Sequence, residues 1–113
     1  MTNEELEAYF QALGWKIEYF LVGSQSFIVI RDYVLPAGSH AGRICDIAIE
    51  RTTTIPYVPP PAIHTRPTLI PMGSFNTMQS SLGPDWQYWS RVVRIQPTPQ
   101  KIVAHFATIF SEV

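Results

Sequence analysis

Side chains able to do covalent or coordination chemistry are few in this chain. The only thiol is Cys45, and the imidazoles are His40, His64 and His105. A thiol becomes a nucleophile or metal ligand where a neighbouring cation lowers its pKa. Cys45 has no histidine or lysine beside it and keeps strand phase with Ile47 and Ile49, so it reads as a small hydrophobe on a buried face. Cys45 and the histidines match no zinc-ligand spacing, and there is no glycine-rich phosphate loop, so no metal and no cofactor is expected. The densest functional cluster is WQYWSR: Trp86, Tyr88 and Trp89, then Ser90 and Arg91. It follows a rigid stretch, PYVPPPAIHTRP, that contains Tyr57 and Pro60. Tryptophan and tyrosine supply large contact area at low entropic cost, and a proline run cannot sit in a helix or a central strand. Trp86, Tyr88, Trp89, Tyr57 and Pro60 are therefore candidate partner-binding residues. The plainer alternative makes the tryptophans props of a long loop, one inside and one at its rim.

These residues need elements to position them. Thr2 and Glu5 have capping-box spacing, and Leu6, Tyr9, Phe10 and Leu13 follow at helical intervals until Gly14. Trp15, Ile17, Tyr19 and Leu21 alternate with Lys16 and Glu18 as a strand does, a turn follows at Gly23-Ser24, and Phe27–Val34 reads as a second strand. A loop from Pro36 to Gly42 leads to a third, Arg43–Ile49. At the other end Thr98 is a good N-cap and Pro99 suits the first helical position. Ile102, Val103, Phe106, Ile109 and Phe110 then make one apolar stripe, with Lys101, His105, Thr108 and Glu112 on the polar, solvated side. The expected fold class is α+β, a single domain over residues 1–113: N-terminal helix, antiparallel meander of about four strands, proline-rich loop, C-terminal helix.

Composition narrows the function. Hydrophobic residues are 46% and charged residues 15% of the chain, as in a folded domain. A net charge of −1 gives no reason to expect nucleic-acid or anionic-membrane binding. No apolar run is long enough to span a membrane, and MTNEELEAYF lacks the regions of a signal peptide, so a cytoplasmic home is expected. A lone cysteine forms no internal disulfide.

The order helix, meander, tyrosine- and proline-rich turn, long loop and closing helix resembles that of the ubiquitin-conjugating enzymes. LPAG at Leu35 to Gly38 and WQYWSR at Trp86 to Arg91 resemble a bacterial branch of that superfamily, found with ThiF-type activating enzymes, ubiquitin-like proteins and JAB-type peptidases. The resemblance implies a ubiquitin-conjugating-like fold. It implies a role in a bacterial ubiquitin-like conjugation pathway, with a ubiquitin-like protein and a ThiF-type activating enzyme as partners and antiphage defence as the setting.

The departures from that family decide the chemistry. The transfer cysteine should fall near Gln87–Ser90, yet positions 70–94 contain no cysteine, and His-Pro-Asn is absent. Thioester transfer there is excluded. Three possibilities follow from the resemblance. Ser90 replaces the cysteine as an oxyester carrier, with His64 or Asp85 as base and Arg91 supporting the oxyanion. Alternatively the domain is a catalytically silent adaptor that binds the ubiquitin-like protein or the activating enzyme. Last, Cys45 is the nucleophile, against its buried phase. An enzyme requires a nucleophile and a base within hydrogen-bond reach beside an open groove; an adaptor requires exposed apolar surface without such a pair. A structural subunit that only shares the fold would show a larger apolar interface elsewhere.

Overall fold

The computed structural model describes residues 1–52, 62–91 and 94–113. Tyr57, Pro60 and the proline triplet lie outside the described residues. The elements are α1 (Asn3–Ala12), β1 (Lys16–Val22), β2 (Gln25–Val34), β3 (Ile44–Glu50), β4 (Ala62–Arg66), a 3-10 turn (Ser74–Asn76), β5 (Thr77–Gln79), β6 (Gln87–Ser90) and α2 (Pro99–Ser111). The class is α+β, as its sequence pattern predicts. Its sheet has six strands rather than about four, in the order β1-β2-β3-β4-β6-β5, and each neighbouring pair is antiparallel.

Both helices begin where their caps place them. Thr2 Oγ1 accepts the Glu5 N–H at 3.1 Å, and Thr98 Oγ1 accepts that of Lys101 at 3.3 Å. Such caps contribute about 1 kcal/mol each. The helices cover one face of the sheet. Leu6 and Phe10 of α1, and Ile102, Phe106, Ile109 and Phe110 of α2, enclose Ile28, Ile30, Cys45, Ile47, Ile49, Ile63 and Trp89. His105, expected in solvent, is half-buried. Leu13 continues the helical spacing but lies past the last turn of α1 and is exposed.

Two irregularities shape the sheet. The β2–β3 register slips between Ile30 and Tyr33, and Asp32 there adopts φ 56. Asp46 Oδ1 accepts the Asp32 N–H at 3.1 Å, while Arg31 and Arg66 close on the same carboxylate at 3.1 and 2.8 Å. Burial works against the ionised Asp46, but the Asp32 N–H and the two guanidiniums outweigh it and hold its pKa below the usual range. The second irregularity is the LPAG loop. Gly38 has φ 81, and a Cβ there would land on the Phe110 carbonyl oxygen and lie 2.8 Å from that of Val113. With the Ser39 N–H bonded to the Val113 carbonyl at 2.9 Å, the loop clamps the end of α2.

Candidate functional site

The segment expected to be one long loop contains β5 and β6, and β6 positions the WQYWSR residues. Its register sets Trp89 opposite Ile63, Tyr88 opposite His64 and Ser90 opposite Ala62. Because side chains alternate along a strand, Gln87 and Trp89 face the helices while Tyr88 and Ser90 face away. Gln87 is fully buried and staples the preceding loop: its Oε1 accepts the Leu69 N–H, and its Nε2 donates to Ile70 O and Thr77 Oγ1, each at 3.0 Å.

Both tryptophans are buried, at 3% for Trp86 and 0% for Trp89, so neither is a rim residue or an exposed platform. Trp89 donates from Nε1 to Thr65 Oγ1 at 2.9 Å inside the main core. Trp86 packs with Val29, Ala48, Phe20 and Leu82 in a second cluster on the opposite face, beneath the Arg66 guanidinium at 4.5 Å. Tyr88 is half-buried.

Ser90 is exposed at the end of β6. It shares a shallow concavity of about 390 Å³ with Phe75, Asn76, Arg91 and Glu112. Phe75 and Asn76 are successive left-handed residues, φ 50 and 56, a conformation that L side chains adopt at a cost. Arg91 lies across the Trp89 ring at 5.4 Å, donates to the Ser90 carbonyl at 2.7 Å and approaches Glu112 at 3.7 Å. Its Nε is buried without a hydrogen-bond partner among the described residues. Burial on α2 lowers the pKa of His105.

The proposed bases stand apart from Ser90. Asp85 is exposed and lines a different concavity with Asp32, Asp46, Arg66 and Thr68. That concavity lies at the Arg66 end of β4, whereas Ser90 pairs at the Ala62 end, four strand steps or about 13 Å away. His64 does share a face with Ser90, but its Nδ1 lies 2.7 Å from Ser80 Oγ. Its ring sits edge-on to Phe27 at 5.4 Å and Tyr88 at 5.3 Å, and burial pushes its pKa down to about 4. A serine–histidine pair thus exists, with Ser80 in place of Ser90. Ser80 is only 5% exposed, and its oxygen also accepts the Leu82 N–H at 3.0 Å. A hydroxyl out of reach of substrate cannot serve as a nucleophile; this one anchors the Ser80–Trp86 segment onto the sheet.

Cys45 is buried, as its phase predicts, and burial pushes its thiol up to about 12, far from a reactive thiolate. Among the described residues no group of three or more His, Cys, Asp or Glu is placed to hold a metal. The exposed apolar residue beside Ser90 is one that the aromatic motif did not single out, Phe75 at 59%, with Met72 at 42% and Met78 at 58% three positions to either side of it in sequence. The available sequence signal was Gly73, a turn residue between Met72 and Phe75. No family model, curated protein or solved structure matches this chain. No helix among the described residues is long and apolar enough to cross a membrane.

Proposed function

We propose that this chain is a binding component of a bacterial ubiquitin-like conjugation pathway. It acts as a ubiquitin-conjugating-like adaptor that docks a ubiquitin-like protein, or its ThiF-type activating enzyme, on the surface around Ser90. The observation that carries this reading is the engagement of His64: the imidazole that transfer to Ser90 would need is buried, neutral and hydrogen-bonded to Ser80. A serine hydroxyl without a positioned base is a poor nucleophile. What the surface offers instead is apolar area, with Met72, Phe75 and Met78 exposed within a short stretch that reaches Ser90 through the Phe75–Asn76 turn.

The oxyester carrier is the second reading, favoured by Ser90, Asn76 and Arg91 lining one open concavity. One experiment separates the two. The protein is mixed with a ThiF-type activating enzyme, its ubiquitin-like protein and ATP, then followed by intact mass and size-exclusion chromatography. The adaptor reading expects a complex without a covalent adduct, weakened about tenfold by Phe75→Ala. An adduct that survives reductant, yields to mild base and is absent from Ser90→Ala makes the chain a carrier. The absence of both complex and adduct refutes the pathway assignment.

A further inference from the structure

Across the sheet from the helices lies a groove of about 400 Å³, lined in part by His64 and Met78 but separate from the concavity at Ser90. Phe27, Ala62 and His64 line it at 2%, 8% and 7% exposure, and Tyr88, Met78 and Glu50 join them. Its volume is in the range of small-ligand sites, and the polar side chains of Gln25, Gln79 and Ser81 complete its lining.

The polar groups can be read one by one. Ser80 is buried, and its oxygen accepts the Leu82 N–H; its own proton then has one described acceptor, His64 Nδ1 at 2.7 Å. Satisfying that buried hydroxyl assigns the imidazole proton to Nε2. This N–H has no partner among the described residues, so it is left for a ligand acceptor. Because burial pushes the His64 pKa down to about 4, the ring carries no charge at neutral pH and does not repel a cation. Among the described residues Glu50 is the only charged side chain lining the groove, and its one polar contact there is a long 3.5 Å bond from Gln25 Nε2. The groove therefore combines an anion, a neutral N–H donor, two aromatic rings and a thioether.

We propose that this groove binds a basic amino-acid residue, arginine or lysine. The cationic head pairs with Glu50, the aliphatic stem lies against Phe27, Tyr88 and Met78, and a carbonyl of the ligand accepts from His64 Nε2. Aromatic walls add to the attraction for a cation, and a carboxylate in a partly desolvated groove selects against a neutral isostere. This inference does not rest on the conjugation pathway, because its test uses the protein alone.

The test is a ¹H–¹⁵N NMR titration with N-acetyl-arginine amide, N-acetyl-lysine amide and the neutral N-acetyl-citrulline amide, repeated on Glu50→Gln and Tyr88→Ala. The expected result is saturable shifts at the amides of Phe27, Ala62, His64 and Tyr88 for at least one basic ligand. Glu50→Gln should weaken binding at least fivefold without altering the rest of the spectrum, and the citrulline derivative should not saturate. A pentapeptide with a central arginine or lysine identifies the source: tenfold tighter binding than the amide points to a protein segment, and equal binding to a free small molecule. Shifts centred on Asp32 and Asp85, equal binding of citrulline, or no saturation with either basic ligand would each overturn the proposal.

Discussion

Substituting Gly38 by alanine should destabilise this protein far more than the same change at Gly14. Both glycines have left-handed φ, 81 and 83, so each alanine incurs a similar backbone penalty, about 1 kcal/mol. They differ in surroundings. A Cβ at Gly14 meets nothing within 4 Å, whereas one at Gly38 collides with the main-chain carbonyl of Phe110. That oxygen belongs to the last turn of α2 and cannot rotate aside, so the loop must lift. Lifting breaks the bond from the Ser39 N–H to the Val113 carbonyl, about 1 kcal/mol, and exposes part of Leu35, now 1% exposed, for another 1–2 kcal/mol. Gly38→Ala should therefore cost about 3–4 kcal/mol against about 1 for Gly14→Ala. At roughly 4 °C per kcal/mol for a domain of this size, the two variants should melt about 10 °C apart. Urea unfolding and a thermal scan of the pair decide it. Equal losses at the two positions would refute the clamp.

The other predictions concern the buried polar groups. His64 has its pKa depressed from 6.5 to about 4, so its neutral form contributes stability that is complete above about pH 6.5 and is lost as pH falls towards 4. With partial screening this amounts to about 2 kcal/mol; wild type should lose that much more than His64→Gln between pH 7 and 4.5 in urea unfolding, and parallel curves would contradict the assignment. Thr65→Val removes the acceptor of the Trp89 indole N–H in the buried core, which should cost about 1–3 kcal/mol by chemical denaturation. A neutral result would show that water or another group replaces Thr65.

The ends of the chain were legible because their signals are local. Thr2 and Thr98 cap their helices through bonds spanning three residues, and the stripe Ile102, Phe106, Ile109 and Phe110 is the buried face of α2. Cys45 shares the helix-side core with Ile47 and Ile49, as its strand phase predicts, while Ala48 faces the other side. The middle was less legible because its determinants are distant in sequence. Gln87-Tyr88-Trp89-Ser90 alternates in burial but reads polar, aromatic, aromatic, polar, and after glycine, proline and aspartate it resembles a loop until β4 is available to pair with it. Trp86 passes for a surface aromatic until Phe20 and Val29, from the first hairpin, supply its pocket. The diversion of His64 to Ser80 had no sequence signal at all, since a hydroxyl sixteen positions away is one of many candidates. Asp32 reads as an ordinary strand residue, and only the carboxylate of Asp46 explains its left-handed backbone.

The order of the strands also divides the molecule in time. From β1 to β4 each strand lies beside its predecessor, so that part of the sheet can zip up by successive additions. By contrast β6 must find β4 across a long excursion, and β5 is held in the sheet only through β6. Closing the longer loop costs more entropy before any strand bond repays it. Ser90, Tyr88, Met78 and the Phe75–Asn76 turn all ride on this late-joining hairpin, while Phe27 and Glu50 belong to the early meander. Hydrogen exchange would accordingly find the slowest amides in β2 and β3, and both surfaces considered above would exist only in molecules whose last two strands have docked.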